Sequence, residues 1–190
     1  MKLTRIKALC KARELVELFD RKDGKQFLSD GCGVWPVDDR LVLNEEMVRI
    51  IFEVSRKKWE SDWSFQHIRF GEDEDAEICG LPECMLDDFW KSTDEIELTP
   101  LHEWAMFAGT EMKLFTTSGP QPRYLWTGTK QFSACPSEIR RYALRTAPDG
   151  TRAIAVYDDV FLGGLVRVLN MDAQMEIRQK FAVFAALEMM

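Results

Sequence analysis

Glu14-Leu-Val-Glu-Leu-Phe-Asp-Arg-Lys-Asp-Gly-Lys-Gln-Phe-Leu28 is the stretch on which the fold turns. Lys22-Asp23-Gly24-Lys25 separates two apolar runs, Glu14 to Asp20 and Gln26 to Leu28. An Asp-Gly pair supplies the positive φ that a tight hairpin turn needs, so the segment reads as strand, turn, strand. One continuous helix through Asp20 is the competing reading. Upstream, Leu3 to Lys11 fits a short helix carrying Lys2, Arg5, Lys7 and Lys11 among its apolar residues. Downstream, Gly31 and Gly33 interrupt the second strand, as at a bulge or a close backbone approach. That strand ends at Val34-Trp35-Pro36-Val37, because proline has no N–H to give a central ladder.

Next comes a helix. Asn44 is a good N-cap, and Glu45 and Glu46 sit where the helix dipole favours anions. Leu43 and Val48 are spaced for a hydrophobic staple, and Met47, Val48, Ile51 and Val54 recur at helical spacing. Arg56, Lys57 and Lys58 are expected to close this helix at its cation-favouring end. Trp59, Trp63, Phe65, Ile68 and Phe70 form an aromatic passage suited to core packing.

Gly71 to Pro100 stands apart. It carries eleven carboxylates (Glu72, Asp73, Glu74, Asp75, Glu77, Glu83, Asp87, Asp88, Asp94, Glu95, Glu97) and one cation, Lys91, a local charge of −10. The 190-residue chain is only −7, so the remainder is slightly basic. Leu81, Met85, Leu86, Phe89, Trp90, Ile96 and Leu98 are spread through this acidic belt, too many large apolar groups for a disordered tract. It is expected to be a surface excursion pinned by some of them.

The second half reads mainly as strands: Glu103 to Phe107 and Met112 to Thr117 about an Ala-Gly-Thr turn, then Arg123 to Thr127. Pro136 is placed to start a helix through Ile139, Tyr142, Ala143 and Leu144, basic at Arg140, Arg141 and Arg145. Pro148-Asp149-Gly150 is a turn, Arg152 to Tyr157 and Phe161 to Leu169 form a hairpin across Asp158-Asp159, and an amphipathic helix from Asp172 carries Ile177, Phe181, Phe184 and Leu187. The sum is a single α+β domain over residues 1–190: a mostly antiparallel sheet, three or four helices, and an acidic excursion at 71–100. Two basic helices each followed by strands about a DG turn make a weak internal echo, as of a duplicated half.

An apolar content of 46% supports a globular chain, and no apolar run is long enough to span a bilayer. Five dispersed cysteines (Cys10, Cys32, Cys79, Cys84, Cys135) and an N-terminus unlike a secretory signal point to reduced thiols in the cytosol. Cys79-Gly-Leu-Pro-Glu-Cys84 with His67 and His102 is the nearest approach to a zinc set or a thiol–histidine centre. The second ligand pair would have to come from distant single residues, and the surrounding carboxylates favour the thiol over the thiolate. No phosphate loop or dinucleotide fingerprint is present. The expectation is a non-catalytic binding protein with no metal and no cofactor.

Two surfaces are candidates. The acidic residues Glu72, Asp73, Glu74, Asp75, Glu77, Asp87 and Asp88, with Phe89 and Trp90 as apolar anchors, would dock on a basic groove of a partner protein, such as a nucleic-acid-binding nuclease. Alternatively Lys7, Lys11, Arg140, Arg141 and Arg145 would neutralise DNA phosphates.

Phe19 to Val37, Leu43 to Val48, Gly80-Leu-Pro-Glu-Cys84, Thr129-Lys-Gln-Phe132 and Ala147-Pro-Asp-Gly-Thr151 resemble an uncharacterised family of small proteins encoded by phages and prophages of gut Firmicutes. Gln131 to Leu169 also resembles half of a DNA sliding-clamp domain, a basic helix followed by strands about a DG turn. The first resemblance implies a host or phage protein as partner and a counter-defence role, for instance anti-CRISPR inhibition. The second implies a clamp-like accessory to replication, although clamps carry no acidic excursion of this length.

Overall fold

The structure is a computed structural model that describes residues 3–69, 77–87, 95–118, 123–135, 140–158 and 161–169. Helix α1 (Leu3–Arg13) leads into β1 (Leu15–Asp20), β2 (Gln26–Ser29) and β3 (Gly33–Pro36). Helices α2 (Glu45–Ile51) and α3 (Arg56–Asp62) then precede β4 (Ser64–Arg69). The acidic belt contributes a two-stranded ribbon, β5 (Glu77–Ile78) with β6 (Leu81–Pro82), and a 3-10 turn at Glu83–Leu86. Strands β7 (Ile96–Phe107), β8 (Thr110–Thr117) and β9 (Tyr124–Gly128) follow, then a 3-10 turn at Lys130–Ala134, then β10 (Arg140–Thr146), β11 (Arg152–Asp158) and β12 (Phe161–Arg167).

Ten strands join one sheet in the order β4-β1-β2-β3-β12-β11-β10-β7-β8-β9. Every described pairing is antiparallel except β1 with β4. The α+β class and mostly antiparallel sheet expected from the sequence are therefore present. α1 stops where Glu14 takes a left-handed backbone (φ 52), so Leu15–Asp20 is strand and the continuous-helix alternative is excluded. The turn closes through Arg21 N–H to Lys25 O at 2.8 Å, with Gly24 at φ +83. The two halves of the sheet meet at β3 and β12 through Val34 with Leu165 and Gly33 with Val166. At that seam the indole of Trp35 lies flat where side chains are missing. A Cβ at Gly164 would come within 2.8 Å of it, and one at Gly33 within 2.7 Å.

The strand expected to run on from Gln26 to Val37 is two strands, β2 and β3, which pair antiparallel about a turn at residues 30–32 where Gly31 has φ +78. Two further expectations are corrected. Arg56, Lys57 and Lys58 do not close the Asn44-capped helix but open α3, with Ser55 as its cap. α2 ends at Ile51 because Glu53 turns left-handed at φ 54. Cations at a helix start oppose the dipole, and the Arg56–Glu60 pair at 2.8 Å offsets part of that cost. Second, Arg140–Thr146 is not the basic helix expected after Pro136 but a strand between β7 and β11. Its apolar residues face both sides of the sheet, and such a run reads as helix when judged by spacing alone. Pro136 itself and the helix expected from Asp172 lie outside the described residues.

Each sheet face carries its own core. On one, Val16, Leu18, Leu28, Trp35, Leu144, Ile154 and Val166 pack against Ile6 and Cys10 of α1 and Val48, Phe52 and Trp59 of the α2–α3 region. Trp59, Trp63 and Phe65 of the aromatic passage belong here: Trp59 stacks on Trp63 at 5.1 Å and lies 5.6 Å from Phe65. Ile68 packs on the other face, and Phe70 lies outside the described residues. On the other face, Phe19, Phe27, Ala143, Ala153, Ala155 and Leu165 meet Ile78, Leu81, Met85 and Leu86 from the acidic belt. None of the described helices is long and apolar enough to cross a membrane.

Candidate nucleic-acid interface

Residues 77–87 of the acidic belt form a lid on the second sheet face, while Ile96 to Pro100 open β7 in the sheet itself, with Leu98 in the core of the helical face. Ile78, Leu81 and Met85 are fully buried and Leu86 nearly so. Two arginines fasten it. Arg21 donates to the Leu86 carbonyl at 3.2 Å and pairs with Asp87 at 2.8 Å and Glu83 at 3.7 Å. Arg145 donates to the Met85 carbonyl and to the Tyr157 hydroxyl, and pairs with Glu95 at 3.4 Å. The Tyr157 hydroxyl in turn donates to Glu95. Burial, with that hydrogen bond to Glu95, pushes the Tyr157 phenol up to about 12. A 3-10 turn leaves carbonyls without intra-turn donors, and a guanidinium in each case supplies one.

Most residues of the acidic docking surface (Glu72, Asp73, Glu74, Asp75, Asp88, Phe89 and Trp90) lie outside the described residues. Glu77 is exposed, and Asp87 is tied to Arg21. The five cations of the alternative surface do not share a face. Arg145 is wholly buried and cannot reach a phosphate. Lys7 pairs with Glu53 at 2.6 Å. Lys11 is exposed on α1. Arg141 is exposed, 5.8 Å from the centre of the Tyr157 ring, and so on the belt side. Arg140 points to the helical side, where it donates to the Cys135 carbonyl at 3.4 Å.

Arg140 does share a site, with residues the sequence reading left aside. Between α1, the Lys130–Ala134 turn and strands β8 and β10 runs a groove of about 620 Å³. Arg5, Lys113, Lys130 and Arg140 line it, one cation from each of four elements, against one carboxylate, Glu111. Phe115, Phe132 and Tyr142 line it too, as an edge-to-face cluster with centroids 5.1 to 5.7 Å apart. α1 adds Lys7, Lys11 and Arg13 close by and no acidic residue. Cations therefore outnumber carboxylates around this groove, whereas the α2–α3 region of the same face carries Glu45, Glu46, Glu53, Glu60 and Asp62 in exposed positions. In the sequence Arg5 and Arg140 stand only as members of two separate basic segments, and Lys113 shares its strand with Glu111. Their convergence with Lys130 carries no sequence signal, because it depends on α1 packing against the Lys130–Ala134 turn.

The cysteine–histidine set does not assemble. Cys79 is buried and Cys84 exposed, so they do not present two thiolates from one turn. Among the described residues no group of three or more His, Cys, Asp and Glu is arranged to hold a metal. Burial, reinforced by Glu17, pushes the Cys79 thiol up to about 12. His102 is exposed on β7, and His67 binds Asp20 at 2.8 Å. Gln26 donates to the other oxygen of Asp20 at 2.7 Å. No described hydroxyl or thiol is hydrogen-bonded to His67, so the pair joins β4 to β1 without forming a nucleophile–base relay.

Comparison of the chain with protein-family models, with curated proteins and with solved structures finds no match.

Proposed function

We propose that the protein is a non-catalytic, clamp-like DNA-binding accessory protein that holds the phosphate backbone in the groove beneath α1. The observation that carries this reading is the convergence of Arg5, Lys113, Lys130 and Arg140 on one groove with a single opposing carboxylate. Cations gathered from four elements serve an anionic ligand, since folding alone gives no reason to bring them together. The meanders β1–β2–β3 and β10–β11–β12 each open with a DG-turn hairpin and meet edge to edge, which supports a duplicated half in its strands, although the second basic helix of that echo is replaced by β10. The contacts are to backbone, so binding is sequence-independent and falls with salt.

Anisotropy titrations of a labelled oligonucleotide across a salt series test this. The expected result is a linear fall of log affinity with log salt, shallower in the variant Arg5→Gln/Lys130→Gln/Arg140→Gln by about one unit of slope per lost phosphate contact. Absence of binding at low salt, or an unchanged slope in the variant, overturns the proposal.

The acidic belt supports a second reading, an inhibitor that docks its carboxylates on a basic groove of a host or phage protein. The favouring observation is that Arg21 and Arg145 occupy Glu83, Asp87 and Glu95, while Glu77 and Glu97 stay exposed. Neutralising Asp73, Asp75, Asp87 and Asp88 together is then expected to abolish capture of that partner, and retained capture rejects the reading.

A further inference from the structure

The long strand β7 holds a second feature of the groove face. Its first residues, Ile96 to Leu98, pair with β10, but from Pro100 onward the described pairing is with β8 alone. Between Pro100 and Trp104 the register slips, so that Leu101, His102 and Glu103 lie opposite Leu114 only. A slip of this kind re-aims the side chains beyond it. Here it sets Trp104 opposite Lys113 and Met106 opposite Glu111. Directly opposed residues share a sheet face with Cβ atoms about 5 Å apart. Lys113 and Glu111 line the groove, so Trp104 and Met106 stand at its rim.

Both are left in solvent, Trp104 at 63% and Met106 at 57% exposure. Trp35, Trp59 and Trp126 are 5% exposed or less. An indole carries much apolar surface, and a chain that buries three others leaves this one bare beside a lysine and a cation-lined groove. A flat aromatic face next to cations suits an unpaired base whose phosphate those cations hold. A duplex cannot use it, because its bases are already stacked on one another.

We infer that Trp104 is a stacking platform and that the groove selects single-stranded over double-stranded DNA. This rests on the groove binding DNA at all. The phosphates lie along Lys113, Lys130 and Arg140, and the base next to Lys113 turns outward onto the indole. No bond is made or broken.

The test uses the full chain with fluorescein-labelled oligothymidylate and with a labelled duplex of equal length, at one low salt concentration. Wild type is expected to bind the single strand more tightly. Trp104→Ala is expected to weaken single-strand binding by about tenfold and leave duplex binding unchanged. Trp104→Phe, which keeps an aromatic face, is expected to restore most of the loss. Far-UV circular dichroism of each variant checks folding, which an exposed side chain should not disturb. Equal binding of both DNAs, or a Trp104→Ala variant with wild-type affinity for the single strand, overturns the inference and leaves the groove reading standing. Failure of wild type to bind either DNA removes both.

Discussion

The two faces of the sheet are covered in different ways. The helical face is closed by α1, the α2–α3 region and the Lys130–Ala134 turn, and its core holds large rings such as Trp35, Phe52, Trp59 and Phe115. The belt face is closed by a two-stranded ribbon and one 3-10 turn over a floor that includes Ala143, Ala147, Ala153 and Ala155. Small residues let an irregular backbone come close to the sheet, but such a backbone arrives with unpaired carbonyls. Arg21 and Arg145 meet that need, and the carboxylates of the belt balance their charge. Acidic composition and structural role are thus joined in this segment: part of the charge is there to hold the lid.

This contrast is sharpest at Arg145. Replacing it with methionine leaves the Met85 carbonyl, the Tyr157 hydroxyl and Glu95 without their cation. A loss of about 3–5 kcal/mol in urea unfolding is expected, as for one partner removed from a buried pair. Arg145→Lys should recover only part, since an ammonium cannot span two partners as the planar fork does. A neutral Arg145→Met would mean that apolar packing alone holds the lid. Next in size are matched core deletions, Met85→Ala in the lid and Leu18→Ala under the helices. Each is expected to cost about 2–5 kcal/mol, the lid variant at the lower end because an irregular segment collapses more readily into the space. Equal costs, with equal hydrogen-exchange protection of both segments, would erase the distinction.

The smallest effect is at alkaline pH. The folded-state pKa of Tyr157 is raised, so the stability tied to its protonated form is complete below the ordinary tyrosine value near 10. It is lost as pH climbs from there toward 12. Tyr157→Phe should therefore flatten that part of the stability–pH curve relative to wild type, as read from thermal midpoints between pH 9 and 12. Identical curves would place the Tyr157 hydroxyl outside the fastening network.

Much of the fold was legible where the cause is local. The Asp23-Gly24 turn and the Asn44 cap, which accepts from Met47 N–H at 2.9 Å, depend on neighbours in sequence. The break after Ile51 was not, because Glu53 takes a left-handed backbone that its side chain does not advertise. β10 was misread because a strand buried on both faces and carrying three arginines has the look of a basic helix. Arg145 could not be seen as a core residue, since its carbonyl partner lies 60 residues away. The groove was hidden for a similar reason: α1, β8, β10 and the Lys130–Ala134 turn are brought together only by the sheet order.

The seam between β3 and β12 has a consequence for how the chain reaches this state. Residues 34 and 165 become neighbours there, so the sheet is completed by pairing strands from opposite ends of the chain. Contacts of such separation form slowly, because the intervening chain must be ordered first. On a ribosome, the meander from β1 to β3 emerges long before its edge partner is made. Its exposed edge must wait, and Pro36 at the end of β3, with no N–H to offer, limits what else can add to it.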